Sequence, residues 1–191
     1  FTSELFYEGR LESHAGLERQ ALTGGTRFAG HGLVYVPVEH EGNQTHAPEE
    51  EEAIARVVAD LSGSRWTDAE GRENKLQEHE IVVVAPYNAQ VGALTDALPA
   101  GVRVGTVDKF QGQQAPVVIY SLTSSSAGDA PRGMSFLYSP NRLNVATSRA
   151  KCVSILVAAT RLLEPSCRVP DQMRWANGLC RYRELAREIA V

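Results

Sequence analysis

Hydrophobic and polar positions along the chain alternate between two patterns. Continuous apolar runs are typical of strands covered on both faces, whereas apolar residues that recur every three or four positions indicate amphipathic helices. The continuous runs predict strands at residues 33–38, 81–85, 102–107, 116–122 and 152–158. The periodic segments predict helices at residues 48–62, 88–98 and 141–151, and from about residue 171 onwards.

Strands that alternate with helices predict an α/β fold. Right-handed crossovers between such strands give a mainly parallel sheet with helices on both faces. Ligands of these sheets bind at the carboxyl ends of the strands. Polar clusters follow three of the predicted strands, with the sequences PYNAQ, DKFQGQQ and TSSS. We therefore expect a functional site where these strands end.

Length and composition limit the class of protein. The 191 residues, 43% of them hydrophobic, suit one globular domain with a real core, which we place over residues 1–191. No apolar run approaches the ~20 residues of a membrane span, so we expect no membrane partner. The net charge of -4 gives no whole-chain argument for nucleic-acid binding, so any such site must be local.

Cysteine and histidine spacing gives no sign of a metal site. The three cysteines are odd in number, which favours reduced thiols and a cytoplasmic location. His31, His40 and His46 fit no zinc pattern, and we interpret them as polar loop residues.

One nucleotide-binding motif is missing from the chain. A phosphate loop of the form G-x-x-x-x-G-K-[ST] does not occur, nor does a strand that ends in paired acids able to hold Mg²⁺. We therefore expect the chain not to hydrolyse ATP by itself.

Three segments nevertheless resemble a motor protein. IVVVAPYNAQV (81–91), VGTVDKFQGQQ (104–114) and NRLNVATSRAK (141–151) are similar to motifs IV, V and VI of superfamily 1B helicases, in that order. With FTSELFYEGRL and YVPVEHEGNQTHAPEEEEA, the resemblance covers residues 1–163. It implies the second, C-terminal RecA-like domain, of P-loop NTPase-like fold, in the group of the nonsense-mediated-decay helicase and senataxin. Bacterial helicases fused to a RecB-like nuclease are the most similar branch.

The resemblance implies partners that are absent from this sequence. A first RecA-like domain would precede Phe1 on the same polypeptide and would hold most of the ATP and Mg²⁺ contacts. Single-stranded DNA or RNA would be the substrate, and a RecB-like nuclease domain is a further expected partner.

Residues around the nucleotide follow from the same resemblance. Arg149 occupies the position of the family's arginine finger, the catalytic cation that stabilises the transferring phosphoryl group. Arg142, seven residues earlier and on a similar helix face, is the second candidate. Gln111 would lie near the phosphates, and Gly112 would let the backbone approach the ligand. Gln114 replaces the family's usual Glu, so its bond to the ribose lacks charge assistance.

The nucleic-acid track would be formed by Thr106, Pro86, Tyr87 and Gln90. Thr106 would contact a backbone phosphate, Tyr87 would stack on a base or sugar, and Gln90 would bond a phosphate. Two alternatives stay open at this stage: Thr106 is an ordinary β-branched strand residue, or Tyr87 packs against a neighbouring loop at the start of a helix.

The motifs together predict the C-terminal motor domain of an ATP-dependent helicase. Two other functions remain open. One is a non-catalytic module that binds single-stranded nucleic acid, and the other is a small-molecule enzyme on a doubly wound sheet, since fold alone does not determine function.

Overall fold

The computed structural model describes residues 1–10, 12 and 14–191. Leu11, at the end of the segment FTSELFYEGRL, and Ser13 lie outside the described residues. The strands are β1 (Ala21–Thr23), β2 (Gly32–Pro37), β3 (Arg65–Thr67), β4 (Glu73–Lys75), β5 (Ile81–Val84), β6 (Arg103–Gly105), β7 (Ala115–Ser121), β8 (Ala150–Ala158) and β9 (Arg187–Glu188). The α-helices are α1 (Thr2–Phe6), α2 (Pro48–Leu61), α3 (Asn88–Ala97), α4 (Met134–Leu137), α5 (Pro140–Ser148) and α6 (Pro170–Leu185).

Six strands form a central sheet in the order β6, β5, β7, β8, β2 and β9. Each neighbouring pair runs parallel. Side chains of successive residues in β7 point to opposite faces, so Val117 and Ile119 join one core cluster while Val118 and Tyr120 join the other. Helices α2 and α3 pack in the first cluster, and α5 and α6 pack in the second. This architecture confirms the predicted α/β fold with helices on both faces.

Several boundaries differ from the predictions. Strand β6 ends at Gly105, because Val107–Phe110 turn into a short 3-10 helix. Helix α5 begins at Pro140 and ends at Ser148, and Ala150 already belongs to β8. A separate antiparallel sheet, in the order β1-β3-β4, was not predicted. It packs on the first core cluster through Leu22 and Trp66.

The carboxyl-terminal elements complete the central sheet. The Tyr182 side chain of α6 is buried, and its hydroxyl oxygen lies 2.6 Å from the Ser154 carbonyl oxygen and 3.1 Å from the Val34 carbonyl oxygen. This hydroxyl therefore fastens α6 across β8 and β2. Strand β9 then pairs with β2, and the Ile189 N–H donates to the Tyr35 carbonyl at 2.9 Å. No helix in the described part of the chain combines the length and apolar character that crossing a bilayer requires.

Candidate functional site

A polar cavity lies where β5 and β6 end. Its volume is about 420 Å³, and it is lined by Pro86, Tyr87, Asn88, Thr106, Asp108, Arg132 and Arg142. Three residues assigned from sequence to a nucleic-acid track therefore come together at the predicted edge of the sheet. Arg142 reaches the cavity from α5, and Arg132 reaches it from the loop that precedes α4. We refer to this site as the exit cavity.

Tyr87 and Thr106 differ in how accessible their side chains are to a ligand. Only 6% of Tyr87 is exposed, its ring packs 5.8 Å from the centroid of Phe136, and its hydroxyl lies 3.4 Å from Ser124 Oγ. The ring thus packs against Phe136 of α4 while its hydroxyl meets the loop that follows β7, so Tyr87 is largely buried among neighbouring elements and is not presented to a base. Thr106 is half-buried, and its hydroxyl has no hydrogen-bond partner among the described residues.

Gln90 does not face the exit cavity, so its expected phosphate contact requires correction. The side chain is fully buried. Its amide oxygen accepts from the Ala47 N–H at 2.9 Å, and its amide nitrogen lies 3.3 Å from Ser121 Oγ. These bonds tie α3 to the start of α2 and leave the amide unavailable to a strand. Gln90 therefore has a structural role.

The loop between β6 and β7 carries the glutamines expected near the nucleotide. Gln111, Gly112 and Gln114 are all exposed. Gly112 has a φ of 82°, a conformation that L side chains rarely adopt, and no atom lies within 4 Å of the position that a Cβ would occupy. Glycine is therefore required here by the backbone turn and not by a close approach within the chain.

Two further cavities run along α5 from the exit cavity. Gln111 and Arg142 line the first, of about 330 Å³, together with Asp108 and Asn141. Gln114 and Arg149 line the second, a narrow crevice. Val145 contributes to both. The four side chains expected near a nucleotide thus lie on adjoining cavities along one helix.

Arg149 lacks a partner in the described part of the chain. It directly follows α5, where its φ of -88° and ψ of -16° continue the helical conformation. Its Nε is buried without a hydrogen-bond partner, and no described carboxylate lies within ion-pair distance of its guanidinium. An unsatisfied buried donor on a charged group is costly, so an acceptor from outside the described residues would stabilise this side chain.

The chemistry of this side-chain set suits a nucleotide but not its metal ion. Guanidinium and amide groups donate to phosphate oxygens, and the Gln114 amide can accept from a ribose hydroxyl. Among the described residues, no group of three or more His, Cys, Asp or Glu side chains could hold a metal ion. The side chains along α5 thus offer donors and acceptors of the kind that a nucleotide uses.

The third polar cluster, TSSS, is buried. Thr123, Ser124 and Ser125 are fully buried, although sequence placed them at the edge of the sheet where we expected a functional site. The reason is Glu50 of α2, whose buried carboxylate needs donors. It accepts from Ser121 Oγ at 2.5 Å and from the Thr123 N–H at 3.0 Å. We call this set, with His40, the Glu50 network.

His40 also differs from its interpretation as a polar loop residue. Its Nε2 lies 3.1 Å from Glu50 Oε1, and its Nδ1 lies 2.7 Å from Ser125 Oγ. A serine, a histidine and a carboxylate in series resemble a catalytic triad. However, all three side chains are buried, Ser125 Oγ accepts from the Asn43 N–H, and none of the three lines the cavities at α5. The network is therefore structural.

The Glu50 network is expected to make stability depend on pH. Burial alone would lower the pKa of His40, but the hydrogen bond and charge of Glu50 outweigh burial and raise that pKa above its ordinary value. A pKa raised on folding contributes stability that is complete below the unfolded pKa, about 6.5, and is lost as pH rises through the folded pKa. We therefore expect the contribution of His40 to the unfolding free energy to fall as pH rises above about 6.5.

Urea denaturation of the wild type and of His40→Gln between about pH 6 and about pH 9 measures this effect. His40→Gln removes the titrating group and should flatten the dependence. His79→Gln is the matched control, because His79 is exposed. If His40→Gln and the wild type lost stability with pH in parallel, the protonation of His40 would not be the cause.

Comparison with known proteins identifies a family that is consistent with the observed α/β fold. Residues 1–161 match a family model described as an AAA domain. The chain is 33% identical over 117 residues to an uncharacterized ATP-dependent helicase of Caenorhabditis elegans, covering 61% of this chain and 7% of that protein. It is 30% identical over 136 residues to a DNA replication ATP-dependent helicase/nuclease of Arabidopsis thaliana, covering 71% and 9%. It is 25% identical over 212 residues to a regulator of nonsense transcripts 1 homolog of Drosophila melanogaster, covering 96% and 16%.

The chain thus spans only a small part of each of these relatives. Their similarity shows a helicase-family domain homologous to ATP-dependent helicases, but it does not transfer the activity of any whole relative to this chain. The family match extends over most of the sequence and includes all three motif segments. The chain belongs to this AAA domain family of helicases.

Proposed function

We propose that the chain is the second RecA-like motor domain of an ATP-dependent nucleic-acid helicase or translocase. In this role it supplies the arginine finger and part of the single-strand track. The observation that carries the proposal is Arg149, a cation beside Gln114 with a buried Nε that has no acceptor among the described residues. ATP bound between this domain and a first RecA-like domain of the same polypeptide would provide that acceptor.

The roles of the chain's residues follow from this placement. Arg149 donates to phosphate oxygens on which negative charge spreads during phosphoryl transfer. Gln114 accepts from a ribose hydroxyl through a neutral amide, and Gln111 donates towards the phosphates. The phosphate loop and the Mg²⁺ ligands come from the first domain. A Mg²⁺ ion held by that first domain would supply charge neutralisation to the phosphates of ATP.

The exit cavity forms this chain's part of the strand track. The free Thr106 hydroxyl can donate to a backbone phosphate, and Pro86 and Tyr87 shape the wall beside it. Contacts of this kind position a strand without reading its sequence, so single-stranded DNA and RNA are both suitable substrates. We place the protein in the cytoplasm, which agrees with three free cysteines, and we propose a RecB-like nuclease as a further domain of the polypeptide.

The isolated chain and the complete protein are expected to differ in their rate of ATP hydrolysis. We expect no turnover from the 191-residue chain, because it carries no phosphate loop, and single-strand-stimulated turnover of ordinary enzyme magnitude, ~10 s⁻¹, from the complete protein. Phosphate release is measured for each of the two proteins, once with and once without a single-stranded oligonucleotide. Turnover by the isolated chain, or a complete protein indifferent to single strands, would contradict the proposal.

A further inference from the structure

We propose that Arg132, Phe136 and Arg142 form a binding site for a phosphodiester group of a single nucleic-acid strand. We refer to these three residues as the arginine clamp. The proposal rests on the proposed function for the presence of a strand, and it adds a residue outside the three helicase-like segments, since Arg132 lies between residues 104–114 and 141–151. It also assigns Arg142 to the strand site, whereas the resemblance to helicases placed this residue near the nucleotide.

One aromatic ring holds both arginines. The Arg132 guanidinium carbon lies 3.8 Å from the centroid of the Phe136 ring, and the Arg142 guanidinium carbon lies 4.1 Å from the same centroid. Planar guanidinium groups that lie over a ring keep their edge N–H groups free to meet the oxygens of an anion such as phosphate. Phe136 in turn packs against Tyr87, so the ring is fixed to the wall of the exit cavity.

The two positive charges are not neutralised within the described chain. Among the described residues, Arg132 and Arg142 form no ion pair, whereas most other arginines do, among them Arg27, Arg56, Arg65, Arg72, Arg161, Arg174, Arg181 and Arg183. Both guanidiniums lie about 4 Å from one ring, so the fold holds two like charges close together, and an anion bound beside them would relieve their repulsion. Asp108 lines the same cavity but makes no ion pair with either.

The surroundings favour a strand phosphate over a free one. The clamp opens into the exit cavity beside the unbonded Thr106 hydroxyl. Arg142 also lines the neighbouring cavity with Asn141, at the amino-terminal end of α5, where helical N–H groups favour anions. Anion-binding groups thus extend over two adjoining cavities. A series of phosphates along one strand matches this arrangement better than a single ion does.

The test measures strand binding by the 191-residue chain and its variants. Fluorescence anisotropy is recorded with a labelled oligothymidylate, and with an abasic oligodeoxyribose phosphate of the same length, over a series of salt concentrations. Arg132→Gln and Arg142→Gln each remove one charge of the clamp. Arg19→Gln is the matched control, since Arg19 is exposed and lies before β1, in another part of the fold. A melting curve of each variant verifies folding.

We expect each clamp variant to bind both oligomers several-fold more weakly than the control does. The plot of log K against log salt has a negative slope. This slope should become less steep by about 0.7 for each strand phosphate that the variant no longer neutralises. Arg132→Lys should keep most of the salt slope but bind more weakly, because a point charge cannot reproduce the bidentate contact.

Three results would overturn the clamp, and they separate it from the proposed function. If wild-type chain binds and Arg132→Gln equals Arg19→Gln in affinity and slope, the clamp is wrong while the strand track stands. If the wild-type chain binds no oligomer even at low salt, the strand track and the clamp both fail. If inorganic phosphate alone saturates the site at lower concentration than the oligomer does, the site serves free phosphate and not a strand.

Discussion

Replacement of Arg149 by alanine is expected to reduce the ATP turnover of the complete helicase by roughly 10³-fold or more. An arginine that meets the transferring phosphoryl group stabilises the transition state more than the ground state, so its removal appears in kcat. The fold should tolerate the change, because the guanidinium makes no ion pair in the described chain and its Nε has no acceptor to lose. We expect the free energy of unfolding to change by at most about 0.5 kcal/mol.

Steady-state phosphate release and a melting curve test the two parts of this expectation. Arg149→Lys should recover only part of the activity, because an ammonium group lacks the planar fork that matches phosphate oxygens. Arg168→Ala serves as the control, since Arg168 is exposed and its side chain has no partner in the described structure. Near-normal turnover of Arg149→Ala would contradict the assignment of Arg149 as the arginine finger. Inactivity caused by unfolding would also count against it.

Glu50→Ala is expected to destabilise the fold by about 3–5 kcal/mol, because it leaves buried polar groups without their partner. The Ser121 hydroxyl and the Thr123 N–H would lose their acceptor. His40 would lose the carboxylate that raises its pKa, and burial would then oppose its charged form. The destabilisation exceeds that of an ordinary hydrogen bond because one carboxylate serves several donors.

Urea denaturation at constant pH measures this destabilisation. Glu52→Ala is the matched control, because Glu52 lies on the same helix but its side chain is 69% exposed and forms a surface ion pair with Arg56. Surface ion pairs contribute about 0–1 kcal/mol, so the control should remain close to wild type. A decrease in stability for Glu50→Ala no larger than that of the control would show that the Glu50 network does not support the fold.

The central sheet could be predicted from sequence because its longer strands carry a recognisable apolar pattern within their own residues. Strands covered on both faces are apolar along their whole length, and β5, β7 and β8 were found by that pattern. Strands of two or three residues carry no periodicity, so the small sheet and β9 were missed. The end of β6 was misjudged since Thr106 and Val107 have high β propensity, while the turn that follows decides their conformation.

The candidate site was predictable only in part. The resemblance to helicase motifs identified residues that the structure brings to adjoining cavities, including Thr106, Gln114 and Arg149. The misassignment of Gln90 and the TSSS cluster has another origin. Gln90 is buried against Ala47 at the start of α2, and the TSSS cluster is buried beside Glu50. Both partners lie more than 40 residues away along the chain. In sequence, Glu50 is one of four consecutive glutamates that suit the start of a helix, and nothing local marks it as buried.

The carboxyl-terminal completion of the sheet has a consequence for protein production. The family match ends at residue 161, before α6 and β9. A fragment cut at that boundary would leave β2 as a bare sheet edge, with unpaired backbone groups available to another molecule. It would also uncover the apolar surface on which Tyr182 packs. Expression of the domain should therefore extend through residue 191, since the shorter fragment is prone to edge-to-edge aggregation.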